Sequence, residues 1–128
     1  MLNNIDAERS VLDFYITMYS TASDAVKAEV DNLVRPELFD DINHKMLWAE
    51  IEKRKDVGAT DMISLANALE NEAWFINAGG FSFIGDITNT NMRAENVPNH
   101  AKQLDELARQ RDSLNAITLA QRIIQSNS

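Results

Sequence analysis

Twenty carboxylates, two histidines and no cysteine are what the chain offers for metal binding or proton transfer. Without cysteine there is no disulfide, no thiol nucleophile and no thiolate zinc site. The one grouping with metal-like spacing is Asp40 and Asp41, four and three residues ahead of His44. Metal sites need three or four convergent ligands, and His100 is remote in sequence, so the trio reads as a solvated helix face. Close carboxylate pairs could serve acid–base catalysis, but so many acids produce such pairs by chance, and they read as surface charges. Gly79-Gly80 is followed by Phe81, and no Gly-x4-Gly-Lys-Ser/Thr occurs, so the chain holds no phosphate-binding loop. Lys53-Arg54-Lys55 closes a helical segment, where cations complement the dipole, and acids flank it at Glu50, Glu52 and Asp56. No catalytic, cofactor or metal residue is therefore expected.

The elements carrying these residues are helical. Four glycines and two prolines punctuate 128 residues, and the apolar positions recur with helical period. Leu12, Tyr15, Ile16 and Tyr19 form one stripe beside Val11, Phe14 and Met18, which marks a helix central to the core. Ser20-Thr21-Ala22-Ser23-Asp24 supplies a break and the N-cap of a second helix, Arg35-Pro36-Glu37 marks a boundary, and a third helix runs from about Asp40 to Lys55 with Trp48 inside. Gly58 sits where a C-terminal turn is expected, and Thr60 or Asp61 can cap a fourth helix with Met62, Leu65, Ala66 and Leu69, in which Trp74 and Phe75 read as core aromatics. Phe81 to Ile87 forms a short helix, and Thr88 to Asn91 a polar turn. After Pro98 nothing breaks helix to the end of the chain. The expected fold is all-α: a compact head of about five to six helices over residues 1–98, followed by a long terminal helix over 99–128.

In that terminal helix Leu107, Leu114, Ile117 and Ile124 keep a/d heptad spacing, weakened by Gln110 and Gln121 at two seam positions. Such a seam is buried against its own head, or it meets a hairpin partner or a second copy of the chain. The net charge of −8 is uneven: fifteen acids face seven bases from Met1 to Ala78, and three face four from Asn99 onward. An acidic head is poorly suited to gripping a phosphate backbone. No apolar run approaches the roughly 20 residues of a membrane span, no secretory leader is visible, and the chain reads as cytoplasmic.

Taken in order, these residues resemble the amino-terminal domain of DnaB-type replicative DNA helicases. Ile5-Asp6-Ala7-Glu8-Arg9-Ser10-Val11-Leu12 is similar to the family's opening Ile-Glu-Ala-Glu-x-Ser-Val-Leu. Phe39, His44, Met46, Ile51, Gly58, Asp61, Leu65 and Leu69 follow its middle pattern. Gly79-Gly80-Phe81-Ser82-Phe83-Ile84, then Asn96-Val97, Ala101, Ala108 and Arg111, follow its last. Asp13, Met62 and Phe83 depart from it. The resemblance implies a non-catalytic module of a hexameric motor: a collar of paired domains that binds the carboxy-terminal domain of primase and communicates with a helicase loader, in a bacterial or phage-infected cell. ATP and Mg would belong to a RecA-like motor further along the parent, and a second hairpin helix would follow residue 128. The alternative is a free-standing, phage-encoded, collar-like regulator competing for primase or loader; the absence of a linker favours a domain cut from a longer helicase.

Overall fold

Asn4 accepts the Ala7 N–H on its side chain at 3.0 Å and starts helix α1, Ile5–Asp13, with Asp6 and Glu8 at its positive end. The computed structural model describes residues 4–127. Past Asp13 the helix widens into a π turn, Phe14–Met18, and tightens into a 3-10 turn, Tyr19–Thr21. Thr17 Oγ1 donates to the Asp13 carbonyl at 3.1 Å, occupying an acceptor that α-helical hydrogen bonding would otherwise use. The extra residue in the turn helps bring Phe14, Tyr15 and Ile16 into the core in succession, more than one stripe of an α-helix can bury.

Around this central rod lie α2 (Asp24–Leu33), α3 (Ile42–Arg54), α4 (Met62–Leu69), α5 (Ala73–Ala78), α6 (Phe81–Ile87) and the long α7 (Val97–Ser126). Side-chain caps explain three of the starts: Ser23 accepts from Val26 N, Asp41 from Asn43 N and His44 N, and Asp61 from Ser64 N. Gly58, at φ 71°, closes the turn after α3 in the left-handed region. The architecture is all-α among the described residues, six α-helices and the long one. It differs from the sequence expectation at Glu70-Asn71-Glu72. There the fourth helix ends and α5 begins a new direction, since two acids at a helix C-terminus oppose its dipole. The change of axis buries Phe75 while Trp74 stays half-buried, edge-on to Phe83 at 6.1 Å.

The core joins Leu12, Phe14 and Tyr15 to Leu38, Phe39, Leu47, Trp48 and Ile51, with Leu65, Ile84, Ile87 and Leu104 closing it. Each such apolar side chain contributes roughly 1.5–3 kcal/mol by leaving water. Tyr15 lies 4.9 Å from Trp48 and stacks on Tyr19 at 5.2 Å. Both tyrosine hydroxyls donate to one carboxylate, Asp31, at 2.6 Å each, tying the π and 3-10 extension of α1 to α2. Burial, and then the Asp31 hydrogen bond, push the Tyr15 hydroxyl far above its ordinary range. The bond to Asp31 pushes half-buried Tyr19 up to about 12.

A folded-state pKa raised above the unfolded one means that the folded chain holds its protons longer. This stabilisation is complete below about pH 10 and is lost as pH climbs towards about 12 for Tyr19. Denaturant midpoints between those limits should therefore fall steadily for the wild type and less steeply for Tyr19→Phe. Equal slopes would show that the Tyr19–Asp31 bond carries no such linkage.

Candidate interaction surface

His44, expected on a solvated face, is 3% exposed, and Glu8 is 0% exposed. His44 Nδ1 donates to Glu8 Oε1 at 2.9 Å, and the backbone N–H groups of Asp40 and Asp41 reach the same carboxylate at 3.1 and 3.3 Å. The His44 ring also stacks on Phe83, 6.2 Å away. Asp41 caps α3, and Asp40 Oδ1 lies 3.7 Å from Arg111 Nε. The trio thus divides into a buried hydrogen-bond partner, a helix cap and an anchor for α7. Among the described residues no three His, Asp or Glu side chains are placed to hold a metal. Asp13 also departs from the surface-charge expectation: it is buried and accepts from Thr17 and Thr90. The basic cluster is paired at its helix end, Arg54 to Glu50 at 2.7 Å, Lys53 to Glu50 at 3.7 Å and Lys55 to Asp31 at 3.8 Å.

The first half of α7 is seated on the head. Val97, Ala101, Leu104 and Ala108 are buried, and the helix packs along α1 and α2. Polar bonds flank that seat. Ser10 Oγ and His100 Nδ1 lie 2.7 Å apart, and Asp105 accepts from Arg35 at 2.7 Å and from Arg109 at 3.0 Å. Arg111 Nη2 donates to the Glu37 carbonyl at 2.9 Å. From Asp112 to Asn127 every residue is exposed. At about 1.5 Å per residue the helix reaches about 20 Å beyond its last anchor.

On this arm the seam residues Leu114, Ile117 and Ile124 are 52%, 55% and 68% exposed, while Leu107 is half-buried at the head's edge. Burial of the stripe on its own head is thereby overturned for the three outer positions. The reason is helical phase. The frame that buries Ala101, Leu104 and Ala108 continues as Arg111, Asn115, Thr118, Arg122 and Gln125, all polar. A second stripe accompanies the seam: Leu119 and Ile123 are 58% and 53% exposed, beside Ala116 and Ala120. These four follow i, i+3, i+4, i+7, a signal present in the sequence and hidden by reading only the heptad seam. At about 100° per residue the two stripes lie about 120° apart on the cylinder.

The matching family model is the DnaB-like helicase N-terminal domain, over residues 1–106. Among solved structures, the fold is similar to the crystal structure of the N-terminal domain of DnaB helicase from Mycobacterium tuberculosis. The TM-score is 0.78 at 24% sequence identity, covering 96% of this chain and 83% of that one. No curated protein matches the sequence.

Removing the buried partner of Glu8 should be costly. His44→Ala is expected to lose about 3–5 kcal/mol in urea unfolding, as for other broken buried pairs. A loss below about 1 kcal/mol, the scale of a surface pair, would mean that two backbone N–H groups satisfy Glu8 alone.

Proposed function

Because the chain belongs to the family of DnaB-like helicase N-terminal domains, we propose that it is the assembly and partner-binding end of a replicative helicase, with the α7 arm as its self-association surface. The observation that carries this reading is the exposed apolar arm. Five large aliphatic side chains, Leu114, Ile117, Leu119, Ile123 and Ile124, face water on a helix whose head-side face has turned polar. An isolated helical arm gains little stability without packing partners. Two stripes about 120° apart suit contact with two neighbouring helices at once, the arrangement of a bundle. A hairpin return from the parent chain could supply one of those helices and a second copy the other.

The further partners proposed are the carboxy-terminal domain of primase and a helicase loader, supported by the family membership and by exposed apolar side chains on the head, among them Ile42, Ile76 and Phe81. The domain does no chemistry of its own in this reading. ATP and its Mg would be handled by a motor region of the parent, and the setting is the bacterial cytoplasm. Among the described residues no helix is long and apolar enough to cross a membrane.

Concentration-dependent sedimentation tests the central claim. The wild type should gain mass with concentration, and Leu114→Asp, altered at an exposed position, should stay monomeric with unchanged helicity. Wild-type and variant chains that are both monomeric throughout would sink the proposal.

The acidic head should also keep the domain off the translocating strand. Binding to single-stranded DNA is expected to be weak at physiological salt. Tight binding that falls steeply with added salt would contradict this, since such a slope reports phosphate contacts.

A further inference from the structure

Residues 56–92, which include α4, α5 and α6, hold five acids and no lysine or arginine. Among the described residues none of those carboxylates, Asp56, Asp61, Glu70, Glu72 and Asp86, forms an ion pair, whereas acids elsewhere do, as in Arg54–Glu50, Arg35–Asp105 and Arg111–Asp40. The negative charge of this segment is thus unbalanced locally. Two large apolar side chains stand in water on the same segment, Ile76 of α5 at 59% and Phe81 of α6 at 54% exposure. The turn between them explains their position. Gly79 N donates to the Ile76 carbonyl at 3.2 Å and Gly80 N to the Phe75 carbonyl at 2.8 Å, which closes α5. Both glycines hold positive φ, 125° and 62°, and α6 starts directly after them. Ile84 and Ile87 then take the buried positions of α6, and Phe83 joins Trp74 and Phe75 edge-on, so Phe81 is left outside. Glu72 lies one turn ahead of Ile76, whose N–H donates to the Glu72 carbonyl at 3.1 Å, so the two side chains share a face of α5.

Charge and apolarity together narrow what fits. Single exposed apolar side chains are ordinary, but an aromatic and an aliphatic one rimmed by unpaired acids have the make-up of an interface centre and its rim. A phosphate backbone or an acidic segment would be repelled by the unbalanced carboxylates. A plain polycation would leave Ile76 and Phe81 in water. A helix carrying lysine or arginine on either side of an aliphatic stripe answers both features, its stripe on the apolar pair and its cations at the acids. We propose that the α5–α6 corner, with Ile76 and Phe81 at its centre and Glu70 and Glu72 at its rim, is the docking surface for a basic amphipathic helix of a protein partner. The proposal rests on the partner-binding reading of the head and names the chemistry of that partner. It is separate from the α7 arm.

The test is an NMR titration of the full 15N-labelled chain with an amphipathic Leu/Lys peptide of about 14 residues, about four helical turns. Saturable shifts are expected at the Glu72, Ile76, Gly80 and Phe81 amides. A Leu/Glu peptide of the same pattern and a Ser/Lys peptide of the same charge should give no comparable response. Phe81→Ser, altered at an exposed position, should weaken binding by about tenfold or more with helical circular dichroism unchanged. Glu70→Gln with Glu72→Gln should weaken it and flatten its salt dependence. Leu114→Asp should leave it as it is. An equal response to the Ser/Lys peptide, or full affinity in Phe81→Ser, would reduce the effect to charge alone and overturn the proposal. The same amides shifting with the Leu/Glu peptide, or on concentrating the chain by itself, would assign the corner to an acidic partner or a second copy and overturn it as well. Saturable shifts confined to the surface around Ile42 would overturn it while sparing the partner-binding reading of the head, whereas no saturable shift anywhere on the head with either Leu peptide would count against both.

Discussion

A carboxylate with no access to water must find its hydrogen bonds inside the protein, and Glu8 finds them in one short stretch of chain. The Asp40 and Asp41 N–H groups and the His44 ring all point at it. That demand fixes the entry to α3 against α1. It also holds Asp41 where it caps α3, and Asp40 where its side chain stands near Arg111. Three helices are therefore located relative to one another by one group. Apolar burial supplies most of the free energy of such a core but little direction. The buried carboxylate supplies direction, because its acceptors accept only a narrow range of donor positions.

Much of the helical framework could be read from the sequence because its determinants are local. Ser23, Asp41 and Asp61 cap helices within three residues of themselves, and Gly58 closes one just after it. The role of His44 could not be read locally. Its partner Glu8 is 36 positions away, and nothing near either residue distinguishes a buried pair from a solvated one. The π turn was equally hidden, since Phe14 to Met18 has ordinary helical composition and widens only in a setting where successive large side chains all meet core. The second apolar stripe of the arm is a different kind of omission. Ala116, Leu119, Ala120 and Ile123 are plain in the sequence, but the heptad frame through Leu107 and Leu114 draws attention to one seam and leaves the rest of the circumference unread.

The aromatic side of the head shows the same division between local and distant causes. Tyr15 and Tyr19 are a natural i, i+4 pair, yet their shared acceptor, Asp31, lies on the next helix. Lys55 approaches the same carboxylate from the end of α3. One side chain of ordinary type thus collects contacts from three elements, whereas Glu8 collects its own from a single stretch at the entry to α3. These two carboxylates are part of the acidic total that, read as composition, looks like nothing more than surface charge.

The change of character along α7 has a geometric consequence. A straight helix is a rigid angular scale on which each residue advances the surface by about 100°. The direction in which the arm presents its aliphatic stripes relative to the head is thus written in the number of residues between Ala108 and Leu114. Changing a side chain in the arm alters how strongly it holds a neighbour. Adding or deleting a residue in that interval would instead turn the whole head about the helix axis with respect to whatever the arm grips. Adhesion and orientation are set by different kinds of mutation, so a lineage could tune one while leaving the other untouched.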